Sequence, residues 1–413
     1  MTTPPANPST QHQPFDAVVV GGGPAGATVA HDLARQGSQV LLLDRGGRIK
    51  PCGGAVPPIL LDEFDVPESQ LVARAKCARM ISPKSMEVDM PINGFVGMVD
   101  REHFDEWLRQ RAAFAGAERV RGQFKTIERD ADGKTFVVYQ AKDGQAKDGS
   151  AEAGELRRIQ TKLVIGADGA RSEVARQSIP GADKIPFVAA YHEIVSSPPA
   201  GTDGFDGERC DVYYQGELSP DFYAWIFPHG SCTSVGVGTA NKGFSMREAI
   251  TKLRERTGMG ESETLRREGA PIPLKTLKRW DNGRDVLLAG DAAGCVAPSS
   301  GEGIYYAMLS GRLAAEAAVE FCRTSNPKAL RLSRKRFMKA HGRVFWILGI
   351  MQRFWYTSDK RRERFVSICR DPDVQHLTWE AYMYKRLVKA KPMAHIRIFF
   401  KDMAHLLGFA PVK

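Results

Sequence analysis

From Asp16 the chain reads DAVVVGGGPAGATVAHDLARQGSQVLLLDR, and its apolar positions change period twice. A β-branched run ends in a glycine turn. Ala27, Ala30, Leu33 and Ala34 then recur at the spacing of one helix face, Gly37 stops the helix, and VLLL opens a second buried strand. Together these segments predict a complete βαβ unit. Residues 51–58, PCGGAVPP, carry too much proline and glycine for a regular element and are expected to form an ordered loop. A helix is predicted from Arg101 to Ala115, with Phe104, Trp107 and Leu108 at helical spacing. Residues 118–165 alternate charged and apolar positions around the near-repeat AKDGQAKDG, the pattern of strands joined by a solvated hairpin. KLVIGADGARS reads as another buried strand entering a loop. Between 186 and 240, PFVAAYHEIV, DVYYQG, FYAWIFP and TSVGVGT alternate as the strands of an antiparallel sheet do. RDVLLAGDAAG returns to the first style, a long helix follows Gly303, and from about Asn326 the chain is helical, basic and aromatic.

At 413 residues and 43% apolar composition, the chain exceeds one ordinary domain, so two interleaved domains are expected. A net charge of +10 favours phosphates or acidic lipids as partners, or is simply a solvated surface. Nucleic acid is not an expected partner, because no recognisable nucleic-acid module is present. The seven cysteines are scattered and free of CxxC spacing, which supports neither disulfides nor a zinc site and points to a reducing, cytoplasmic setting. The opening MTTPPANPSTQHQPF has neither the apolar stretch nor the basic start of a secretory signal, and residues 1–14 read as a disordered arm. No run reaches the roughly 18 apolar residues that a membrane span needs.

Gly21, Gly23 and Gly26 form G-x-G-x-x-G, with Pro24 and Ala25 inside it, at the strand-to-helix junction. The first glycine allows the tight turn, the second lets backbone approach a pyrophosphate, and the third lets helix and strand pack closely. The helix N-terminus supplies amide donors to the phosphates. Asp44, followed by Arg45, ends the second strand, where a carboxylate accepts from a ribose hydroxyl and repels a 2′-phosphate, so this site is expected to hold a dinucleotide other than NADP.

GADGARSEVAR (166–176) and LLAGDAAGCVAPSSGEGI (287–304) resemble two further motifs of the para-hydroxybenzoate hydroxylase superfamily. Within it, LLDRGGRIKPCGGAVPP (42–58), ARMISPKSMEVDMP (78–91), GMVDREHFDEWLRQRAA (97–113) and FYAWIFP (222–228) make the chain similar to the geranylgeranyl reductase family, closest to its photosynthetic branch. Archaeal lipid reductases share the general plan. The resemblance implies an α/β (α+β) fold in which a Rossmann-type FAD-binding domain (15–80, 101–180 and 276–325) is interrupted by an antiparallel-sheet substrate domain (81–100 and 181–275), with a helical C-terminal region from 326 to 413. It further implies that Asp291, with Gly290, binds the ribityl chain of FAD, that Gly301, Gly303 and Ile304 lie along the pyrophosphate and isoalloxazine, that Asp168 and Gly169 support the flavin and nicotinamide regions, and that Arg101 contacts the flavin. Since no second G-x-G-x-x-G sits in a βαβ unit, either NADPH docks transiently against the flavin face, as the resemblance implies, or electrons come from another donor.

The implied activity is reduction of three isolated double bonds of a geranylgeranyl group, on a (bacterio)chlorophyll or as the diphosphate. Tyr223, Trp225 and Phe227 alternate on one strand and share a face, which either lines a tunnel for a C20 chain or is an ordinary core face. Cys52 either gates the flavin or relays a proton, with Gly53 and Gly54 letting the loop close, or is a buried inert thiol. VFWILGIMQRFWY (344–356), the basic RRERF and the later RIFFKDMAHLLGF suit peripheral contact with a membrane, anchored by Trp346 and Trp355, at the cytoplasmic face of a photosynthetic membrane beside other pigment-synthesis proteins. Competing readings are an archaeal-type lipid reductase, a flavin-dependent aromatic hydroxylase and a pigment-binding assembly flavoprotein.

Overall fold

The computed structural model describes residues 13–46, 49–142 and 154–385. The chain opens with β1 (Phe15–Val20), α1 (Pro24–Arg35) and β2 (Val40–Asp44). It continues through β3 (Ala55–Val56), α2 (Pro58–Glu63), β4 (Ala73–Ile81) and β5 (Glu87–Met98), and then through α3 (Arg101–Phe114), β6 (Glu118–Arg129), β7 (Thr135–Ala141), β8 (Leu156–Gly166) and α4 (Glu173–Ser178). Next come β9 (Phe187–Ser196), β10 (Arg209–Tyr213), β11 (Ala224–His229), β12 (Cys232–Thr239), α5 (Met246–Arg256) and β13 (Thr264–Pro273). β14 (Val286–Leu288) and α6 (Ile304–Thr324) precede the tail helices α7 (Arg331–Trp355), α8 (Asp359–Ile368) and α9 (Pro372–Met383).

In the first sheet β2, β1, β8 and β14 lie side by side and parallel. The β6–β7 hairpin bridges from β2 to β8. Parallel strands covered on both faces must be apolar throughout, and Val18, Val19, Leu41–Leu43 and Leu163–Ile165 are all within 1% of complete burial. Each aliphatic side chain so buried contributes about 1.5–3 kcal/mol. α1 packs against this sheet through Ala27, Val29, Ala30 and Leu33, and α6 lies against α1, with Gly311 meeting the backbone of Ala25.

The second sheet has the order β13-β9-β12-β11-β10-β4-β5-β3. It departs from the sequence expectation in three ways. β3 and β4 belong to it, so its first segment starts well before residue 81. β10 pairs with β4 in parallel, because the two come from distant parts of the chain and no hairpin fixes their direction. Within 51–58 the loop also supplies β3 and the start of α2, where Pro58 occupies the first turn and its missing N–H costs nothing. The predicted helix at 101 begins on an Asp100 cap that accepts from the Glu102 N–H. AKDGQAKDG lies mostly, and RIFFKDMAHLLGF entirely, outside the described residues, as does most of the arm 1–14.

Candidate active site

The turn between β1 and α1 is built for a close approach of backbone. Gly21 has φ +104°, and a Cβ on it would sit 2.4 Å from the Ala167 carbonyl oxygen. On Gly26 a Cβ would come within 1.9 Å of the Gly21 oxygen, so only glycine brings helix and strand together here. At Gly23 nothing lies within 4 Å of that position, and as the N-cap it offers no side chain to the first amides of α1. Those amides, beside Pro24 and Ala25, are left for an anion. Asp44 accepts from the N–H groups of Gly22 and Gly46, each at 2.8 Å, and borders a cavity of about 330 Å³ with Arg109, Arg119 and Arg121. Arg45 points into solvent.

A larger cavity of about 650 Å³ begins at Gly23, Pro24 and Ala25. Its polar end is lined by Lys50, Pro51, Cys52, Gly53, Gly54, Arg101, Ala167, Gly169, Asp291, Gly301, Gly303 and Ile304. Asp291 is 7% exposed and paired with Lys50. Gly290, at φ +64°, packs against Ala25. Arg101 is buried, forms a two-pronged pair with Asp105 at 2.7 and 2.8 Å, and faces the Cys52 thiol. Asp168 stands back from the cavity. Its carboxylate accepts from the Ser172 hydroxyl and the N–H groups of Glu173 and Val174, which organises the start of α4, while burial pushes its pKa up.

The apolar end is one face of four adjoining strands. Trp225 lies opposite Val212 and Val212 opposite Met80; in the next row Cys210 lies opposite Ala78 and Ala78 opposite Met90. All six line the cavity, as do Tyr223 and Phe227. Successive rings of Tyr223, Trp225 and Phe227 are 6.0 and 6.2 Å apart. Burial raises the pKa of Tyr223, whose hydroxyl stays protonated and donates to the Ser300 carbonyl at 2.6 Å. The opposite wall comes from the tail helices, with Leu348, Trp355, Tyr356, Phe365, Trp379 and Tyr382. Trp355 is therefore a roof residue, 7% exposed, rather than a surface anchor. The 344–356 run signals an apolar helix in sequence, but which face it covers depends on packing across more than a hundred residues, and the HLTWEAYMY stretch that supplies Trp379 and Tyr382 is not singled out by the sequence reading.

The site suits FAD. Open space over Gly23 and Gly169, uncapped amides at α1 and a buried acidic acceptor at Asp291 match an extended diphosphate and polyol chain leading to a flat apolar ring. Fold and site together define a Rossmann-type, FAD-dependent oxidoreductase. Residues 92–317 match the FAD binding domain family, and residues 19–64 match an NAD(P)-binding Rossmann-like domain. The chain is 56% identical to geranylgeranyl diphosphate reductase of Rhodobacter capsulatus over 398 residues, covering 96% of this chain and 98% of that one. It is 36% identical to the chloroplastic geranylgeranyl diphosphate reductase of Oryza sativa, over 94% of this chain and 85% of the other. A geranylgeranyl bacteriochlorophyll reductase-like protein of Thermoplasma acidophilum shares the fold with TM-score 0.76 at 22% identity, covering 92% and 99% of the two chains. The chain belongs to the geranylgeranyl diphosphate reductase family, whose reaction is an oxidoreduction at CH–CH bonds, with FAD and NADPH as redox cofactors.

The junction of loop and sheet makes Gly54 a sharp test. It has φ +72°, and a Cβ there would lie 2.4 Å from His229 Nε2 and 2.6 Å from the Val99 carbonyl. Left-handed backbone adds about 1–3 kcal/mol for any other residue. Gly54→Ala is expected to weaken FAD binding roughly tenfold or more, since about 1.4 kcal/mol corresponds to a factor of ten. Flavin fluorescence titration measures this, and wild-type affinity would remove Gly54 from the architecture of the site.

Proposed function

We propose that the protein saturates three isolated double bonds of a geranylgeranyl group to give phytyl, on a (bacterio)chlorophyll or on the free diphosphate, during (bacterio)chlorophyll synthesis. The observation that carries this reading is the continuity of one cavity, from dinucleotide-binding glycines to a wall of aromatic and aliphatic side chains. An isolated alkene has no carbonyl to stabilise charge, so reduction demands close positioning and exclusion of water. Bound FAD, reduced by NADPH, supplies the electron pairs. Gly21, Gly23, Pro24, Ala25 and Gly26 hold the pyrophosphate, Asp44 the adenosine end, with the solvent-facing Arg45 at its rim, and Asp291 with Gly290 the polyol. Gly169, Gly301, Gly303, Ile304 and Arg101 border the ring, and Asp168 acts from behind by fixing the loop after β8. Tyr223, Trp225 and Phe227 orient the tail. Cys52, between Arg101 and the Gly53–Gly54 turn, gates the ring or passes a proton.

Anaerobic incubation of the flavin-loaded protein with NADPH and geranylgeranyl bacteriochlorophyll, followed by the mass of the tail, is expected to show stepwise gains of two, four and six hydrogens. Flavin reduction without any gain on the pigment, the diphosphate or an archaeal-type lipid would contradict the reading.

We also propose that the protein sits on the surface of the photosynthetic membrane. No described helix is long and apolar enough to cross a bilayer. On α7, however, Arg343, Trp346, Ile350 and Arg353 form an exposed stripe, with Trp346 67% and Ile350 47% exposed. An amphipathic stripe flanked by arginine favours an acidic lipid interface. Replacing Trp346 and Ile350 together by serine is expected to cut co-sedimentation with anionic phospholipid vesicles by roughly tenfold, a few kilocalories of lost apolar burial being ample for that. Unchanged binding would assign membrane contact to another surface.

A further inference from the structure

Glu302 stands between Gly301 and Gly303 in the loop that floors the polar end of the cavity. Both its carboxylate oxygens accept from the Lys385 ammonium, at 2.5 and 2.6 Å, and the two side chains are 6% and 3% exposed. Lys385 lies just beyond α9 and holds a left-handed backbone, φ +55°, that few non-glycine residues adopt. The rings of Tyr305, Tyr306 and Tyr382 surround its ammonium at 5.1, 5.2 and 4.7 Å. Among the described residues, the other titratable groups facing the pair are Glu63 of α2, which accepts from the Tyr305 hydroxyl at 2.9 Å, and His341 of α7. Burial, followed by the charge of Lys385, pushes His341 down to about 4, so it is neutral near pH 7. Burial raises the pKa of Glu302 and lowers that of Lys385, so each keeps its charge through its partner.

The same loop is gripped twice more. Tyr356, at the end of α7, donates to the Ser299 carbonyl at 3.0 Å, and Tyr223 of the sheet wall donates to Ser300. Floor, wall and roof therefore meet at residues 299–303, and Lys385 brings a full charge to that meeting.

We propose that Lys385 is a positioning residue of the reduction: through its ion pair with Glu302 it fixes the 299–303 floor on which the cofactor lies and ties the helical roof of the tunnel to it. This rests on the reading of the cavity as the site of FAD and the isoprenoid tail. It gives the tail helices a second task, because seating α9 completes the tunnel and sets the flavin loop in one step.

The test uses the full chain with Lys385→Met, Glu302→Gln and both together, measuring FAD affinity without substrate between about pH 6 and pH 9, a range that brackets ordinary imidazole titration. Lys385→Met strands a buried carboxylate. Its FAD affinity is expected to fall roughly tenfold or more at the alkaline end, as for a buried charge left without its partner, and to recover at the acidic end as Glu302 takes up a proton. Glu302→Gln is expected to show the opposite slope, recovering as Lys385 loses its proton. The double variant, with nothing left to titrate, is expected to be flat with pH and to stay below wild type in affinity, because the floor is no longer tied to the roof. If Lys385→Met does not fold, the Glu302→Gln slope decides. Thermal destabilisation with a flat, wild-type FAD profile in the variants that fold would overturn the proposal and leave the pair a plain structural bridge. Expected FAD profiles combined with no reduction of any isoprenoid by the wild type would instead uphold the cofactor-positioning role of Lys385 and remove the substrate reading.

Discussion

The two sheets are joined where the loop from 49 to 54 lies flat against the aromatic wall, and that contact has no room for a Cβ. At Gly53 a Cβ would stand 2.9 Å from the Phe227 ring, and at Gly54 it would collide with His229. Burial keeps His229 largely neutral, its pKa pushed down, so no charge is introduced at the joint. Because the loop comes this close, Cys52 and Arg101 reach the polar end of the same cavity that Trp225 and Phe227 line at the apolar end. A pair of bulkier residues would hold the wall away from the floor and divide one cavity into two.

Charge in this cavity is confined to its floor and compensated there. Lys50 pairs with Asp291, Arg101 with Asp105 and Lys385 with Glu302, all at the end built from glycine turns. The two buried pairs, Arg101–Asp105 and Lys385–Glu302, add little net stability but are costly to break, since removing one partner leaves a desolvated charge, whereas Lys50 reaches Asp291 from a partly exposed position. They suit a site that must stay dry yet fix the position of a polar cofactor. Beyond Tyr223 the walls are mainly aliphatic and aromatic, which favours an apolar chain by area.

Much of this was legible in the residue pattern. The G-x-G-x-x-G spacing named the turn whose close contacts are now visible at Gly21 and Gly26. Alternation along FYAWIFP correctly put Tyr223, Trp225 and Phe227 on one face, although only packing could decide that the face borders a cavity. Long-range geometry was out of reach. Glu302 and Lys385 are 83 positions apart, and no local period links them. Asp168 was expected beside the flavin, but a carboxylate just ahead of a helix start is drawn to the free amides of that helix, and here α4 claims it. Trp355 and Trp346 look alike in sequence, and the helix turn sends one into the roof and the other into solvent.

The central claim is that the isoprenoid tail lies along the β11, β10, β4 and β5 wall, in continuity with the cofactor. Ala78, 7% exposed and between Cys210 and Met90 in that wall, is the place to obstruct it. Measured by tail mass under anaerobic conditions, Ala78→Trp is expected to bind FAD and accept electrons from NADPH as the wild type does, while hydrogenation of the tail stops or ends short of the full series. A complete series at the wild-type rate would mean that the tail does not use this tunnel.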